Sequence, residues 1–220
     1  MNENVEGIQE VLKHARHQIN KIIVGQNSVI DRSLIAIFTG GHVLIEGAPG
    51  VGKTLLVRAL AQLLGCEFDR IQFTPDLAPA DITGSKVFNP QTNEFALLKG
   101  PIFTTFLLGD EINRAPARTQ SALLQAMQEH QVTIDRTTHT LSPNFTVFAT
   151  LNPADYHGTF PLPEPQRDRF LFKLNMDYPT VKEEIELSER TLTENAPARI
   201  IDRGALKPLL TPERLTHLRN

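Results

Sequence analysis

The eight residues GAPGVGKT at positions 47–54 constrain the fold of this chain more than any other feature. They match the pattern G-x-x-x-x-G-K-[S/T], in which glycines let backbone N–H groups turn toward phosphate oxygens. The apolar segment HVLIE (42–46) before them predicts a buried strand, and the apolar segment 55–64 after them predicts a helix. The alternative, a glycine turn with a surface lysine, does not explain these two flanks. The order strand, loop and helix therefore predicts an α/β fold with a phosphate-binding loop.

A second signal is a pair of acids at the end of an apolar strand. The predicted strand TTFLLGD (104–110) ends in Asp110 and continues into Glu111. Because the carboxyl ends of parallel strands meet at one edge of an open sheet, we expect both acids beside the glycine-rich loop. There Lys53 would reach the β- and γ-phosphates, Thr54 and Asp110 would hold Mg²⁺, and Glu111 would act as general base toward water. Taken alone, such a pair is more often a set of solvated loop charges.

Asn152 follows the predicted strand NFTVFAT (144–150), where its amide would hydrogen-bond a γ-phosphate or orient a water molecule. An Asn-Pro dipeptide after a strand is, by itself, more often a plain turn. The chain order of phosphate loop, acid pair and polar strand end favours the functional interpretation.

The segment QRDRF (166–170) contains two candidate arginines. We interpret Arg169 as an arginine finger that acts on the nucleotide of a neighbouring subunit, with Arg167 as its rival for that role. The alternatives are ordinary surface charge or an ion pair with Asp168.

The rest of the chain predicts a parallel sheet with two insertions. Strands separated by helices imply crossover connections and a sheet flanked by helices. A β-hairpin interrupts this order at 84–100, with its turn at 89–93, and a second one lies at 131–142. In the tail we predict a charged helix at 181–192, then a loop that holds Pro197 and Gly204, then the start of another helix with its cap at Thr211. The predicted domains are 1–178, a nucleotide-binding α/β domain, and 179–220, an incomplete second domain.

Composition argues against several classes of protein. The 220 residues carry a formal net charge of −3, which disfavours a strongly basic nucleic-acid-binding module. The lone Cys66 makes neither an intrachain disulfide nor a cysteine cluster for zinc, as is typical of a reducing compartment. No apolar run reaches the roughly 18 residues that span a bilayer, and the first ten residues are too polar for a secretory signal. We therefore expect a soluble, cytoplasmic protein without membrane insertion.

From about residue 22 to residue 179 the sequence resembles the MoxR-type AAA+ ATPases. The blocks that carry this resemblance include VGQ (24–26), GGHVLIEGAPGVGKT (40–54), IQFTPDLAPADITG (71–84), GPIF (100–103), DEINRAPARTQSALLQAMQE (110–129), ATLNP (149–153) and GTFPLPEPQRDRFLF (158–172). The block at 110–129 and the pattern PLPE-x-Q-x-DRF are specific to this branch. The resemblance implies a P-loop AAA+ core whose two β-hairpin insertions group it with magnesium chelatase, minichromosome maintenance helicases and dynein. It also implies that 179–220 is the truncated start of a helical lid, with the sensor 2 arginine beyond the last residue.

The resemblance also implies roles for individual residues. Glu111 of the Walker B motif, Asn152 as sensor 1 and Arg169 as arginine finger are implied to be catalytic, and Thr54 and Asp110 to hold Mg²⁺. The implied nucleotide-binding residues are Val24, Gly25, Gln26, Ala48, Pro49, Gly50, Val51, Gly52, Lys53, Thr54 and Leu55, of which Val24 and Gly25 border the adenine. In one departure, Gly52 stands where many relatives have an alanine.

By this resemblance the chain is expected to be an Mg²⁺-dependent ATPase that works as a homo-oligomer, a hexameric ring, and remodels or matures partner proteins. Proteins with von Willebrand factor A domains are the implied partners. Two other classes of function stay open. An ATP-driven motor on nucleic acid is disfavoured by the net charge of −3, and the other is a nucleotide-binding switch or scaffold with little turnover.

Overall fold

A computed structural model describes residues 2–153, 159–192 and 196–219 of the chain. The helices in these residues are α1 Asn2–Ile19, α2 Asn27–Thr39, α3 Lys53–Leu63, α4 Pro79–Thr83, α5 Ala117–Glu129, α6 Glu164–Arg167, α7 Val181–Thr191, α8 Pro197–Asp202 and α9 Pro212–Arg219. The strands are β1 Val43–Glu46, β2 Phe68–Gln72, β3 Gly84–Asn89, β4 Glu94–Lys99, β5 Phe106–Asp110, β6 Gln131–Ile134, β7 Thr137–Thr140, β8 Thr146–Leu151 and β9 Phe172–Asn175. None of the described helices is both long and apolar enough to cross a membrane.

Five strands form one sheet in the order β2-β5-β8-β1-β9. Every neighbouring pair in this sheet runs parallel, so all five strands end at the same edge. The strand before the glycine-rich loop, β1, is separated from the acid-bearing strand β5 by β8 alone. The predicted α/β fold with a helix-flanked parallel sheet is confirmed, and its strand order places the ends of β1, β8 and β5 side by side.

The sheet separates two apolar cores. In β1, Val43 and Ile45 belong to the core that also contains α1, α2 and α3. Leu44, which lies between them, belongs to the core with α5 and β6. Successive side chains of a strand point to opposite faces, so a strand covered on both faces needs an unbroken apolar sequence. The segment VLI in β1 meets this requirement.

Both predicted hairpins are present outside the central sheet. β3 pairs with β4, and β6 pairs with β7, each antiparallel. An ion pair of 3.3 Å between Lys86 of the first hairpin and Asp135 of the second joins the two. The first hairpin exposes apolar side chains that include Phe88 and Phe95, whose ring centroids lie 5.3 Å apart. The two hairpins therefore add surface to the fold without joining the central sheet.

The tail contains a helix that the sequence did not predict. The expected loop around Pro197 and Gly204 is wrong, because Pro197 begins α8 and Gly204, with φ of 63°, follows its end. Proline suits the first turn of a helix, where its missing N–H has no intrahelical partner to lose. Leu215 and Leu218 of α9 are buried in the core that contains α2 and α3. The predicted domain boundary after residue 178 stays a prediction.

Candidate nucleotide-binding site

The glycine-rich loop joins β1 to α3 with a left-handed backbone at two glycines. The angle φ is +83° at Gly50 and +94° at Gly52, a region that residues with side chains adopt only at a cost. Gly52 directly precedes α3, which begins at Lys53. At the other end of the loop, the N–H group of Gly47 donates to the carbonyl oxygen of Leu151 at 3.2 Å. The loop thus leads into a helix N-terminus whose N–H groups and dipole favour an anion.

Lys53 folds back over the loop from the start of α3. Its ammonium group donates to the backbone oxygens of Gly47 and Ala48, the second at 3.1 Å. Burial lowers the pKa of the Lys53 ammonium group below its usual value, while the carboxylates of Asp110 and Glu111 act in the opposite direction. A polyphosphate bound at this point would add further negative charge and so favour the charged form of the lysine.

A cleft of about 310 Å³ opens where the loop meets the strand ends. Its lining comes from the loop, α3, β2, β5 and β8, together with the residue after β5, and comprises Pro49, Gly50, Gly52, Lys53, Thr54, Arg70, Gln72, Asp110, Glu111 and Thr150. The structure therefore brings together Lys53, Thr54, Asp110 and Glu111, which the sequence predicted to meet. Their roles in binding and catalysis stay predictions.

Asp110 is buried at the end of β5, and both of its carboxylate oxygens accept hydrogen bonds. The residue is only 6% exposed. The hydroxyl of Thr150 donates to Oδ1 at 3.0 Å. The guanidinium Nε of Arg70 donates to Oδ2 at 2.6 Å and forms an ion pair with it. These two contacts compensate the burial of a charged group, which would otherwise be costly.

Glu111 lies one residue beyond β5 in a left-handed conformation, with φ of 56°. Its backbone N–H donates to the hydroxyl of Thr150 at 2.9 Å. Its carboxylate Oε2 accepts a bond from the side-chain amide of Gln72 at 2.8 Å and lies 3.0 Å from Nε of Arg114. A non-glycine residue with positive φ costs energy, and such strain concentrates at functional sites. The backbone turn directs the Glu111 side chain toward β2.

Sequence reasoning missed three residues of this cleft: Arg70, Gln72 and Thr150. Each lies near the carboxyl end of a strand that neighbours β5 in the sheet. Their relation to the acids depends on which strands pair, and no local pattern in the sequence encodes that. The available signal was that Gln72 and Thr150 lie in blocks that carried the family resemblance, IQFTPDLAPADITG (71–84) and ATLNP (149–153), whereas Arg70 lies in none of them.

The predicted adenine-side residues are not among the described lining of this cleft; Gly25 and Gln26 line a separate pocket of about 150 Å³ together with residues of β9. Val24, Gly25 and Gln26 directly precede α2, and the side-chain amide of Gln26 donates to the backbone oxygen of Asp177 at 2.9 Å. The backbone N–H of Met176, the residue before Asp177, donates to the carbonyl oxygen of Glu46, the last residue of β1, at 2.8 Å. These contacts tie the segment to the strand end that leads into the glycine-rich loop.

Three residues predicted to bind the nucleotide from the loop and the first turn of α3 are not among the described lining of the cleft: Ala48, Val51 and Leu55. Ala48 contributes its backbone oxygen to the bond with Lys53. Val51 and Leu55 are partly buried and pack against the core of α1, α2 and α3. Their apolar contacts hold the loop and the first turn of α3 on the sheet.

Asn152 and Arg169 lie in different places relative to the cleft. Asn152 directly follows β8 and is not among the described residues that line the cleft. The residue of β8 that does line the cleft is Thr150. Arg169 is exposed, and its guanidinium Nη1 donates to the backbone oxygen of Leu124 at 2.8 Å. It lines a separate surface cavity of about 280 Å³ beside α5. Arg169 is thus not brought to the cleft of its own chain.

Comparisons with known proteins agree with this geometry. The model of the family described as "ATPase family associated with various cellular activities (AAA)" matches residues 42–172. The chain is 51% identical over 182 residues to the uncharacterized protein YeaC of Bacillus subtilis (strain 168), which covers 83% of this chain and 57% of YeaC. It is 50% identical over 179 residues to the chaperone MoxR1 of Mycobacterium tuberculosis (strain ATCC 25618 / H37Rv), which covers 81% of this chain and 48% of MoxR1.

A crystal structure from Cytophaga hutchinsonii ATCC 33406, of a protein with a provisional ATPase assignment, has the same fold. Its TM-score is 0.87 at 42% sequence identity, and the match covers 100% of this chain and 64% of that one. The present chain thus spans between 48% and 64% of the length of these relatives. The chain belongs to the AAA family of ATPases and, within it, to the MoxR family.

Proposed function

We propose that this chain binds ATP with Mg²⁺ in the cleft between the glycine-rich loop and the ends of β5 and β8, and that it hydrolyses the ATP. The observation that carries this proposal is that Lys53 and Thr54 lie in one cleft with Asp110 and Glu111. Membership of the AAA family supports a nucleotide as the ligand.

The residues present fit both the nucleotide and the metal ion. The loop has two left-handed glycines, and a Cβ atom built on Gly50 would meet no atom within 4 Å, so the loop surface at this point is open to a ligand. The hydroxyl of Thr54 and the carboxylate of Asp110 are hard oxygen donors of the kind that Mg²⁺ prefers. When bound, the metal ion would neutralise charge on the β- and γ-phosphates.

The residues around the phosphates have separate tasks in this proposal. Lys53 exchanges its bonds to the loop carbonyls for bonds to β- and γ-phosphate oxygens. Thr54 and Asp110 would hold the metal ion when it is bound. The backbone N–H groups at the start of α3 stabilise the negative charge of the phosphates.

Glu111 acts on the attacking water in this proposal. It accepts a proton while the water oxygen forms a bond to the γ-phosphorus and the bond from that phosphorus to the ADP oxygen breaks. Because Gln72 and Arg114 both contact Oε2 of Glu111, we assign Oε1 to the water. The amide of Asn152 orients this water or the γ-phosphate from the end of β8.

Arg169 supports a homo-oligomer, which we propose is a hexameric ring. An arginine finger that acts in trans must be exposed and away from the nucleotide site of its own chain. Arg169 meets both conditions, because it is exposed beside α5 and lines a different cavity. Arg167, at the end of α6, is exposed as well and is the alternative.

We propose that hydrolysis drives the remodelling or maturation of partner proteins in the cytoplasm. In support, a relative that is 50% identical to this chain is named a chaperone. Proteins with von Willebrand factor A domains are the partner class that the resemblance suggests. The apolar surface of the β3–β4 hairpin, with Phe95 68% exposed, supports contact with another protein.

Calorimetry with ATP and Mg²⁺, together with a phosphate-release assay, tests the site. The wild-type chain should bind and hydrolyse ATP. Lys53→Ala should abolish binding, because it removes the charge that neutralises the phosphates. Lys182→Ala is the matched control, since Lys182 is an exposed lysine on α7, and it should bind as the wild type does. Equal affinity in the Lys53→Ala variant would contradict the proposed site.

A further inference from the structure

Asp110, which we propose holds the metal ion, shares one of its oxygens with a cationic side chain of the same chain. Oδ2 accepts the bond from Arg70 Nε at 2.6 Å, while Oδ1 accepts from the Thr150 hydroxyl. The two partners differ in charge: the hydroxyl is neutral, whereas the guanidinium carries a full positive charge. The Arg70 guanidinium is positively charged, as a metal ion is, and it therefore occupies an oxygen that a metal ion or its water shell would use.

We propose that Arg70 competes with Mg²⁺ for Oδ2 of Asp110, an inference that rests on the proposed function. Arg70 is then a positioning residue, and its competition with the metal ion sets how strongly the affinity for the nucleotide depends on Mg²⁺. The guanidinium compensates the Asp110 charge when no metal ion does so. With the metal ion bound, repulsion between the metal ion and the guanidinium weakens this bond and favours outward movement of Arg70.

The surroundings of Arg70 allow it to leave. Its side chain is 50% exposed, against 9% for that of Asp110. Its other contact in the cleft, from Nη2 to the side-chain oxygen of Gln72, is long at 3.3 Å. A half-exposed arginine recovers hydration when it moves outward, whereas the buried carboxylate must keep a cationic partner. Arg70 is thus the mobile member of the pair and Asp110 the fixed one.

The effect of removing Arg70 has opposite signs in the two conditions. Without Mg²⁺, loss of the guanidinium leaves the Asp110 carboxylate uncompensated, so that it repels the phosphates and weakens nucleotide binding. With Mg²⁺, the same loss removes the competitor and strengthens binding or leaves it unchanged. Damage to the fold of the cleft would instead weaken binding in both conditions.

The test is calorimetric binding of the non-hydrolysable analogue adenylyl imidodiphosphate, in excess Mg²⁺ and in EDTA, from which the ratio of the two Kd values is obtained. Arg70→Gln should raise the ratio of Kd in EDTA to Kd in Mg²⁺ by about tenfold, as expected for loss of an ion pair with one buried partner. Arg70→Lys should raise it by about threefold, since an ammonium keeps the charge but loses the Nε position.

Arg58→Gln serves as the matched control and should leave the ratio at the wild-type value. Arg58 forms an exposed ion pair with Asp202 at 2.8 Å, and it does not line the cleft. A ratio in Arg70→Gln within about twofold of the wild type would overturn the proposal. If Arg70→Gln does not fold by circular dichroism, the same criterion applies to Arg70→Lys. Absence of analogue binding by the wild-type chain would instead overturn the proposed function, and this inference with it.

Discussion

His42 should make the stability of this protein depend on pH between pH 6.5 and 4. The residue directly precedes β1 and is 6% exposed. Its Nδ1 accepts the backbone N–H of Val147 at 3.0 Å, so the ring proton is on Nε2, which contacts the backbone oxygen of Met127 at 3.1 Å. Burial lowers the pKa of His42 to about 4, with His130 and Arg219 acting in the same direction and the bond to Met127 in the opposite one. The folded protein therefore favours the neutral imidazole.

The sign and size of the effect follow from proton linkage. The pKa of His42 lies near 6.5 in the unfolded chain and about 4 in the folded one, so the unfolded chain takes up the proton first as the pH falls. The stabilisation is fully present above pH 6.5, is lost on acidification toward pH 4, and changes no further below that. The free energy of unfolding should fall by about 2 kcal/mol at pH 5 and by about 3 kcal/mol in all.

Urea unfolding at a series of pH values between 7.5 and 5 measures this effect, with His42→Gln as the variant. Glutamine does not titrate, so the variant should lose about 2 kcal/mol less than the wild type over this range, whatever its stability at pH 7.5. His17→Gln is the matched control: His17 is exposed on α1, and its removal should leave the pH dependence unchanged. If wild type and His42→Gln show the same dependence, burial does not hold His42 neutral and the reasoning is refuted.

Two further predictions concern catalysis. Glu111→Gln should retain ATP binding in calorimetry but release phosphate at least about 10²-fold more slowly, because the water loses its base. The control is Glu184→Gln, a change on the exposed surface of α7, which should hydrolyse ATP at the wild-type rate. Wild-type turnover by Glu111→Gln would mean that another residue is the base. Arg169→Ala subunits mixed with Glu111→Gln subunits should regain part of the ATPase activity that each lacks alone, because some interfaces in mixed rings carry neither defect. No recovery in rings shown by light scattering to be mixed would count against action in trans.

Those parts of the cleft that are contiguous in the sequence could be predicted from it. The glycine-rich loop is flanked by segments whose apolar patterns reveal a strand and a helix, and this context fixes the position of Lys53. Asp110 ends a segment that is apolar enough to be buried on both faces. Such features depend on local patterns and on the rule that parallel strands end together.

Contacts between distant strands could not be predicted in the same way. Arg70 and Thr150 each lie 40 residues from Asp110 in the chain. Their contacts with that carboxylate exist because β2 and β8 flank β5, and nothing local in either segment specifies this order. The sequence does not predict α8 for another reason: proline is typical of loops, although the first turn of a helix, where Pro197 lies, tolerates it.

The hydroxyl of Thr150 has a consequence for how the site tolerates change. It donates to the Asp110 carboxylate and accepts from the Glu111 backbone, so one oxygen atom supports two acids for which we propose different tasks. Valine would keep the shape of the side chain and lose both bonds, whereas serine would keep the hydroxyl without the β-branch that restricts its rotamer in a strand. The proposed metal ligand and the proposed base therefore share one supporting hydroxyl, and a substitution that removes this hydroxyl removes the support of both acids at once.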